Sequence, residues 1–230
     1  MTGIYFASNG NLRASILGAN DGLVSNFILI MGVAGGTGDA NLVLLAGTAG
    51  MLAGAFSMAA GEYVSMRSQR DVYENQIRLE SVEIEKAPDQ ELQKLTNIYQ
   101  SKGLSQQEAQ LISHRIIENK EVALDTIIRE TLGLNPMSLG SPWGASISSF
   151  TCFIIGAMIP LIPYILETGD LAITMSSVMS LASLLIVGGS VSFITNRNTL
   201  WGAVRMFLAG GSAAFVTFGI GNLVGTAINI

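Results

Sequence analysis

Residues 40–66, ANLVLLAGTAGMLAGAFSMAAGEYVSM, run directly into residues 67–86, RSQRDVYENQIRLESVEIEK. The first part carries a single charge, Glu62, and exceeds the roughly 20 apolar residues that a helix needs to cross a bilayer. The second part is densely charged yet has neither Gly nor Pro to stop a helix. One helix that spans a membrane and continues into water is therefore expected, and the rest of the chain divides the same way. Residues 67–138 hold 21 of the 29 charged residues, whereas the other 158 positions hold 24 of the 26 glycines. A charged fraction of 13%, against about 25% in soluble domains, excludes a freely soluble globular enzyme.

Working outward, the apolar stretches are 14–36, 40–66, 143–166, 171–196 and 206–230. Gly36-Thr37-Gly38-Asp39 and Glu167-Thr168-Gly169-Asp170 are short enough to close helical hairpins. Five spans put residues 67–142 and the 196–205 loop on the side of the N-terminus. Every Lys and Arg lies there, and Arg13, Arg67, Arg70, Arg197 and Arg205 flank the spans. The positive-inside rule makes that side cytoplasmic. The expected fold is all-α, with spans one and two in 1–66, a cytoplasmic helical insert in 67–138 and spans three to five in 139–230.

Within the insert, Pro88-Asp89 starts a helix that Lys102-Gly103 stops. Ser105-Gln106-Gln107-Glu108 is a capping box for the next helix, with Leu111, Ile112 and Ile116 as its apolar positions. A last helix covers about 121–132, with Leu124, Ile127, Ile128 and Leu132 on one stripe, and stops at Gly133 before Pro136. One Cys (Cys152) and one His (His114) exclude a disulfide framework and a His-rich metal site. Net charge −5 gives no nucleic-acid footprint. No phosphate loop, dinucleotide glycine signature, nucleophile elbow or zinc-protease helix is present, so neither enzymatic activity nor a prosthetic group is expected. The N-terminus lacks a cleavage pattern, and no signal peptide is expected.

Function concentrates on acids inside the spans. A carboxylate at mid-span costs roughly 2.5–3.5 kcal/mol on insertion scales, so it usually faces a pathway or a partner. Asp21 lies about 12 Å beyond Arg13 at 1.5 Å per residue. Counted back from Arg67, Met58 lies about 13 Å deep and Glu62 about 7 Å deep. Asp21 and Met58 thus share one level, with Glu62 nearer the cytoplasm. Met51, Ala55, Met58, Glu62 and Met66 form one stripe, which serves packing, ligation or both. Gly18-x-x-x-Gly22 and Gly50-x-x-x-Gly54 predict close approach of spans one and two. No Lys or Arg lies within a span, which leaves a cation or a proton as the partner of these acids. Carboxylate with thioether suits ferrous iron and remains compatible with manganese. In the insert, Glu80, Glu83, Glu91, Asp125 and Glu130 form either a solvated acidic face or, with the helices folded back, a second site.

Asn20-Asp21-Gly22-Leu23-Val24-Ser25 resembles the opening signature of the vacuolar iron transporter family, which includes manganese exporters. Ser57-Met58-Ala59-Ala60-Gly61-Glu62-Tyr63-Val64-Ser65, followed by Ser68-Gln69-Arg70-Asp71, resembles its second-span signature. Ala123-Leu124-Asp125, Leu132-Gly133-Leu134 and Pro142-Trp143 continue the likeness. The resemblance implies a homodimer with its path between the first two helices of each subunit, exporting ferrous iron or manganese against protons. It assigns Asp21, Met58 and Glu62 to the path, and Glu80, Glu83, Glu91 and Glu130 to metal capture in the insert. Departures are Lys94 in place of a further glutamate, Ile127 and Ile128 in place of methionines, and an offset Glu130. Weaker iron capture or a preference for manganese follows. The competing readings are a membrane-anchored metal sensor or scaffold without transport and, last, an enzyme using Asp21 with Glu62. The expected location is a prokaryotic inner (plasma) membrane, or a vacuolar-type membrane if the host is eukaryotic.

Overall fold

The computed structural model describes residues 10–133, 140–167 and 169–228, and Leu132 by its backbone only. Leu134, Pro136 and Thr168 lie outside the described residues. The described chain is helical: α1 Gly10–Gly36, α2 Ala40–Lys86, α3 Pro88–Ser101, α4 Gln106–Ile117, α5 Lys120–Leu132, α6 Pro142–Leu166, α7 Asp170–Ile194 and α8 Thr199–Ile228. Helices α1, α2, α6, α7 and α8 are long and apolar enough to cross a membrane, as five spans require. Helix α2 runs 47 residues without interruption, as its lack of Gly and Pro after Arg67 demands. The described residues fall into two compact units, within Met1–Ser65 plus Ser141–Ile230 and within Met66–Gly140.

In the first unit α1 is central, packed on α6 and α8. Lipid is as apolar as leucine, so such helices associate through close packing and interhelical hydrogen bonds rather than through the hydrophobic effect. The glycines of α1 supply the first. A methyl group on Gly18 would lie 2.5 Å from the carbonyl oxygen of Ser149, and one on Gly22 would overlap that of Phe153. Gly35 meets Phe218 of α8 in the same way. Hydrogen bonds supply the second: Asn26 Nδ2 donates to the Ala157 carbonyl (2.8 Å), Ser176 Oγ to Pro160 (2.7 Å) and Thr217 Oγ1 to Ile28 (3.2 Å). Each is worth about 0.6 kcal/mol on average in a membrane.

This packing corrects the expectation that these glycines bring the backbones of spans one and two close together. Gly18 and Gly22 are spent on α6, whose own Gly156 meets the backbone of Ala19. Helix α2 reaches α1 through side chains instead, with Leu29 over Gly50 and Ile30 beside Gly47. It is tied to α6 by Ser146 Oγ donating to the Ala59 carbonyl (2.8 Å). The small residues Ala145, Ser149, Gly156 and Ala157 of span three were the signal for this arrangement.

The second unit closes around Ile84, Leu95, Ala123 and Ile127, all buried. Pro88 opens α3, and Ser105 and Glu108 form the reciprocal capping box of α4. Asn119 caps α5, which ends at Gly133 with φ 63°. Of the apolar face expected for α4, Ile116 packs on this core, but the rest is corrected: Ala109 and Ser113 are buried, while Leu111 is 70% exposed and Ile112 38%. The smaller side chains let α4 lie close to its neighbours.

Candidate metal path and carboxylate cluster

Asp21 and Met58 line one cleft of about 340 Å³ between α1 and α2, with Phe153 of α6 as its floor. Ser25, Asn26 and Ser57 add oxygen atoms to its wall. Helical periodicity puts Asp21, Ser25 and Leu29 on one strip of α1, beside the glycines that grip α6. On α2, Gly54 faces the Phe153 ring, and Met58 packs beside Phe153 and the buried pair Met51 and Ala55. Adjoining strips of α1 therefore grip α6 and line the cleft. Asp21 is exposed on the single chain, and no Lys or Arg is ion-paired with it among the described residues.

Glu62 has a different environment from the one expected. Arg13 Nη2 reaches its Oε1 at 2.9 Å, with the Glu62 side chain 12% exposed. The expectation that the span acids lack a counter-charge is corrected for Glu62. Arg13 lies in the first turn of α1, and its long side chain spans the distance to the neighbouring helix. The depth arithmetic already left the two within reach, but a count of charges inside spans could not show it.

In the charged unit, single carboxylate oxygens of Glu80, Glu83 and Glu91 lie within 4.8 Å of one another. The i, i+3 spacing places Glu80 and Glu83 on one face of α2, and the turn at Ala87 folds Glu91 back onto them. Glu91 is 4% exposed, and its Oε1 accepts from Lys94 Nζ at 3.5 Å. Lys94 Nζ lies 2.8 Å from Glu80 Oε2 and 3.3 Å from Glu91 Oε2. Burial pushes the Glu91 carboxyl above its ordinary range, against the pull of Lys94. Burial alone would lower Lys94, but Glu80 and then Glu91 outweigh it and raise the ammonium. The cluster is thus a three-carboxylate site already holding one internal cation. The sequence marked Lys94 as a substitution without showing where its charge goes.

Glu130 does not join the cluster. Lys102 takes it up in an ion pair, and Arg129 takes Asp125 at 2.7 Å. Ile127 and Ile128 are fully buried core residues here, with no donor atom to offer.

A sequence profile described as the VIT family matches residues 12–222. A protein of Acanthamoeba castellanii named vacuolar iron transporter is 35% identical over 219 residues, covering 93% of this chain and 78% of that one. One of Eucalyptus grandis named vacuolar iron transporter 1 is 30% identical over 224 residues, covering 96% and 89%. One of Centaurea cyanus named vacuolar iron transporter is 28% identical over 217 residues, covering 94% and 89%.

Proposed function

This chain belongs to the VIT family, and from that premise we propose that it exports a divalent cation, ferrous iron or manganese, from the cytosol across a membrane in exchange for protons. The observation that carries the reading is the cleft in which the Asp21 carboxylate and the Met58 thioether meet without a basic partner. A lone mid-span carboxylate has two ways to lose its charge, a metal ion or a proton, and it cannot hold both at full strength. Metal arrival therefore displaces the proton, and reprotonation helps to release the metal. That competition couples the two flows.

Asp21 is exposed on the single chain, yet a bare carboxylate against lipid is costly. A second copy covering the α1–α2 face removes that cost, and the path then runs along a homodimer interface. The charged unit lies on the cytoplasmic side in this reading, where its carboxylates collect metal. The Arg13–Glu62 pair stands between that side and Asp21, and an approaching cation competes with Arg13 for Glu62. Iron suits the thioether, and the oxygen-rich remainder of the wall suits manganese.

The test is uptake into sealed proteoliposomes under an imposed proton gradient, comparing ferrous iron, manganese, cobalt, zinc and calcium. Asp21→Asn keeps size and polarity but binds neither charge, so it abolishes metal-driven proton movement while expression and assembly persist. Wild-type flux in that variant would remove the cleft from the mechanism. Wild-type vesicles that bind metal but move none would favour the sensor. Labelling of single cysteines at Gln106 and Asp170 from one and the same side would overturn the five-span sidedness.

A further inference from the structure

The cleft contains one group that neither sequence motif singles out. Asn26 is 2% exposed and sits five residues beyond Asp21, about 7.5 Å farther along α1 at 1.5 Å per residue. Its Nδ2 donates to the Ala157 carbonyl at 2.8 Å. A carbonyl only accepts, so this bond fixes the amide orientation and turns Oδ1 the other way. Oδ1 has no hydrogen-bond partner, and Asn26 lines the cleft shared by Asp21 and Met58. Opposite it on α2 stands Gly50, where an added methyl group would come within 3.5 Å of Oδ1. The oxygen thus lies beside the backbone of the neighbouring helix, in a space that it shares with the Leu29 side chain.

A buried acceptor left unpaired is costly, and native structures keep few of them. An amide oxygen locked by its own nitrogen is also a preorganised neutral ligand for a hard or borderline cation. We propose that Asn26 Oδ1 is a further ligand on the ion path, receiving a divalent cation that has left Asp21 or sharing it with Asp21. This rests on the transport reading above and extends the site from the level of Asp21 to the level of Asn26. Because it carries no charge, Asn26 contributes affinity without trapping the ion, which a second carboxylate at that depth would do.

The test compares wild type, Asp21→Asn, Asn26→Leu and Asn26→Asp, all full length, for manganese flux into proteoliposomes, with calcium as competitor. Asn26→Leu keeps the volume and deletes the ligand oxygen, and the half-saturating manganese concentration is expected to rise about tenfold, the value of one contact to a charged group. Asn26→Asp also loses the bond to Ala157 but keeps an oxygen facing the cleft, so its half-saturation stays at or below the wild-type value while calcium competes better. Wild-type half-saturation in Asn26→Leu would overturn the assignment, as would an Asn26→Asp variant as impaired as Asn26→Leu, since the Ala157 bond would then be what matters. Should Asn26→Leu not fold, unchanged calcium competition in Asn26→Asp would overturn it alone. A wild type that moves no metal, or an active Asp21→Asn, would instead fail the transport reading.

Discussion

Gly18→Ala is a test of how α1 holds the cleft open. The added methyl would lie 2.5 Å from the Ser149 carbonyl oxygen and 3.2 Å from its carbon. Because the obstacle is backbone, no rotamer change relieves it, and the helices must part by about 1 Å to restore ordinary packing distance. Overpacking of this kind costs roughly 1–3 kcal/mol. Transmitted along α6, the same shift would stretch the 2.8 Å bond from Asn26 to Ala157 to about 3.8 Å, beyond hydrogen-bond reach. Gly219→Ala is the control, since a methyl there meets nothing within 4 Å. In a chain of this size 1 kcal/mol moves Tm by about 2–4 °C. Thermal unfolding in detergent should therefore show Gly18→Ala lower by several degrees and Gly219→Ala unchanged or higher, helped by the better helix propensity of Ala. Transport by Gly18→Ala should fall as well. Equal melting of Gly18→Ala and the wild type would refute the backbone-contact account.

Met58→Leu preserves volume, with a packing cost under about 1.5 kcal/mol, and should reduce iron flux more than manganese flux; equal losses for both ions would deny the thioether a ligand role. Lys94→Gln removes the ammonium held by Glu80 and Glu91, and manganese binding to the full chain carrying Asp21→Asn should tighten about tenfold; weaker binding would show that Lys94 organises the cluster rather than competing for it. Hydrogen bonds from the Ser105 hydroxyl and backbone N–H hold the Glu108 carboxyl below its ordinary 4.5. A lowered carboxyl stabilises the fold above its unfolded value and loses that contribution as pH falls through the folded one. Amide exchange at the start of α4 should therefore gain protection as pH rises through that acidic range, and Glu108→Gln should flatten the dependence.

Chain order and periodicity were enough for the architecture. A membrane offers backbone groups no water, so an apolar stretch of sufficient length must be a helix. The helix breaks in the insert also depend on local chemistry: Pro88 at a first turn, the Ser105–Glu108 box, and Gly133 at positive φ. The depth arithmetic that set Asp21 level with Met58 needed only a constant rise per residue, and the two side chains do share a cleft. What the sequence could not determine is which small-residue face meets which helix. Every pairing of glycine faces looks alike in one chain, and only the competition among five helices gives Gly18 and Gly22 to α6. The partners of charges and amides were hidden for the same reason. Arg13 on Glu62, Lys94 on Glu80, Lys102 on Glu130 and Asn26 on Ala157 join residues 14 to 131 positions apart, and side-chain reach across a helix interface has no periodic signature.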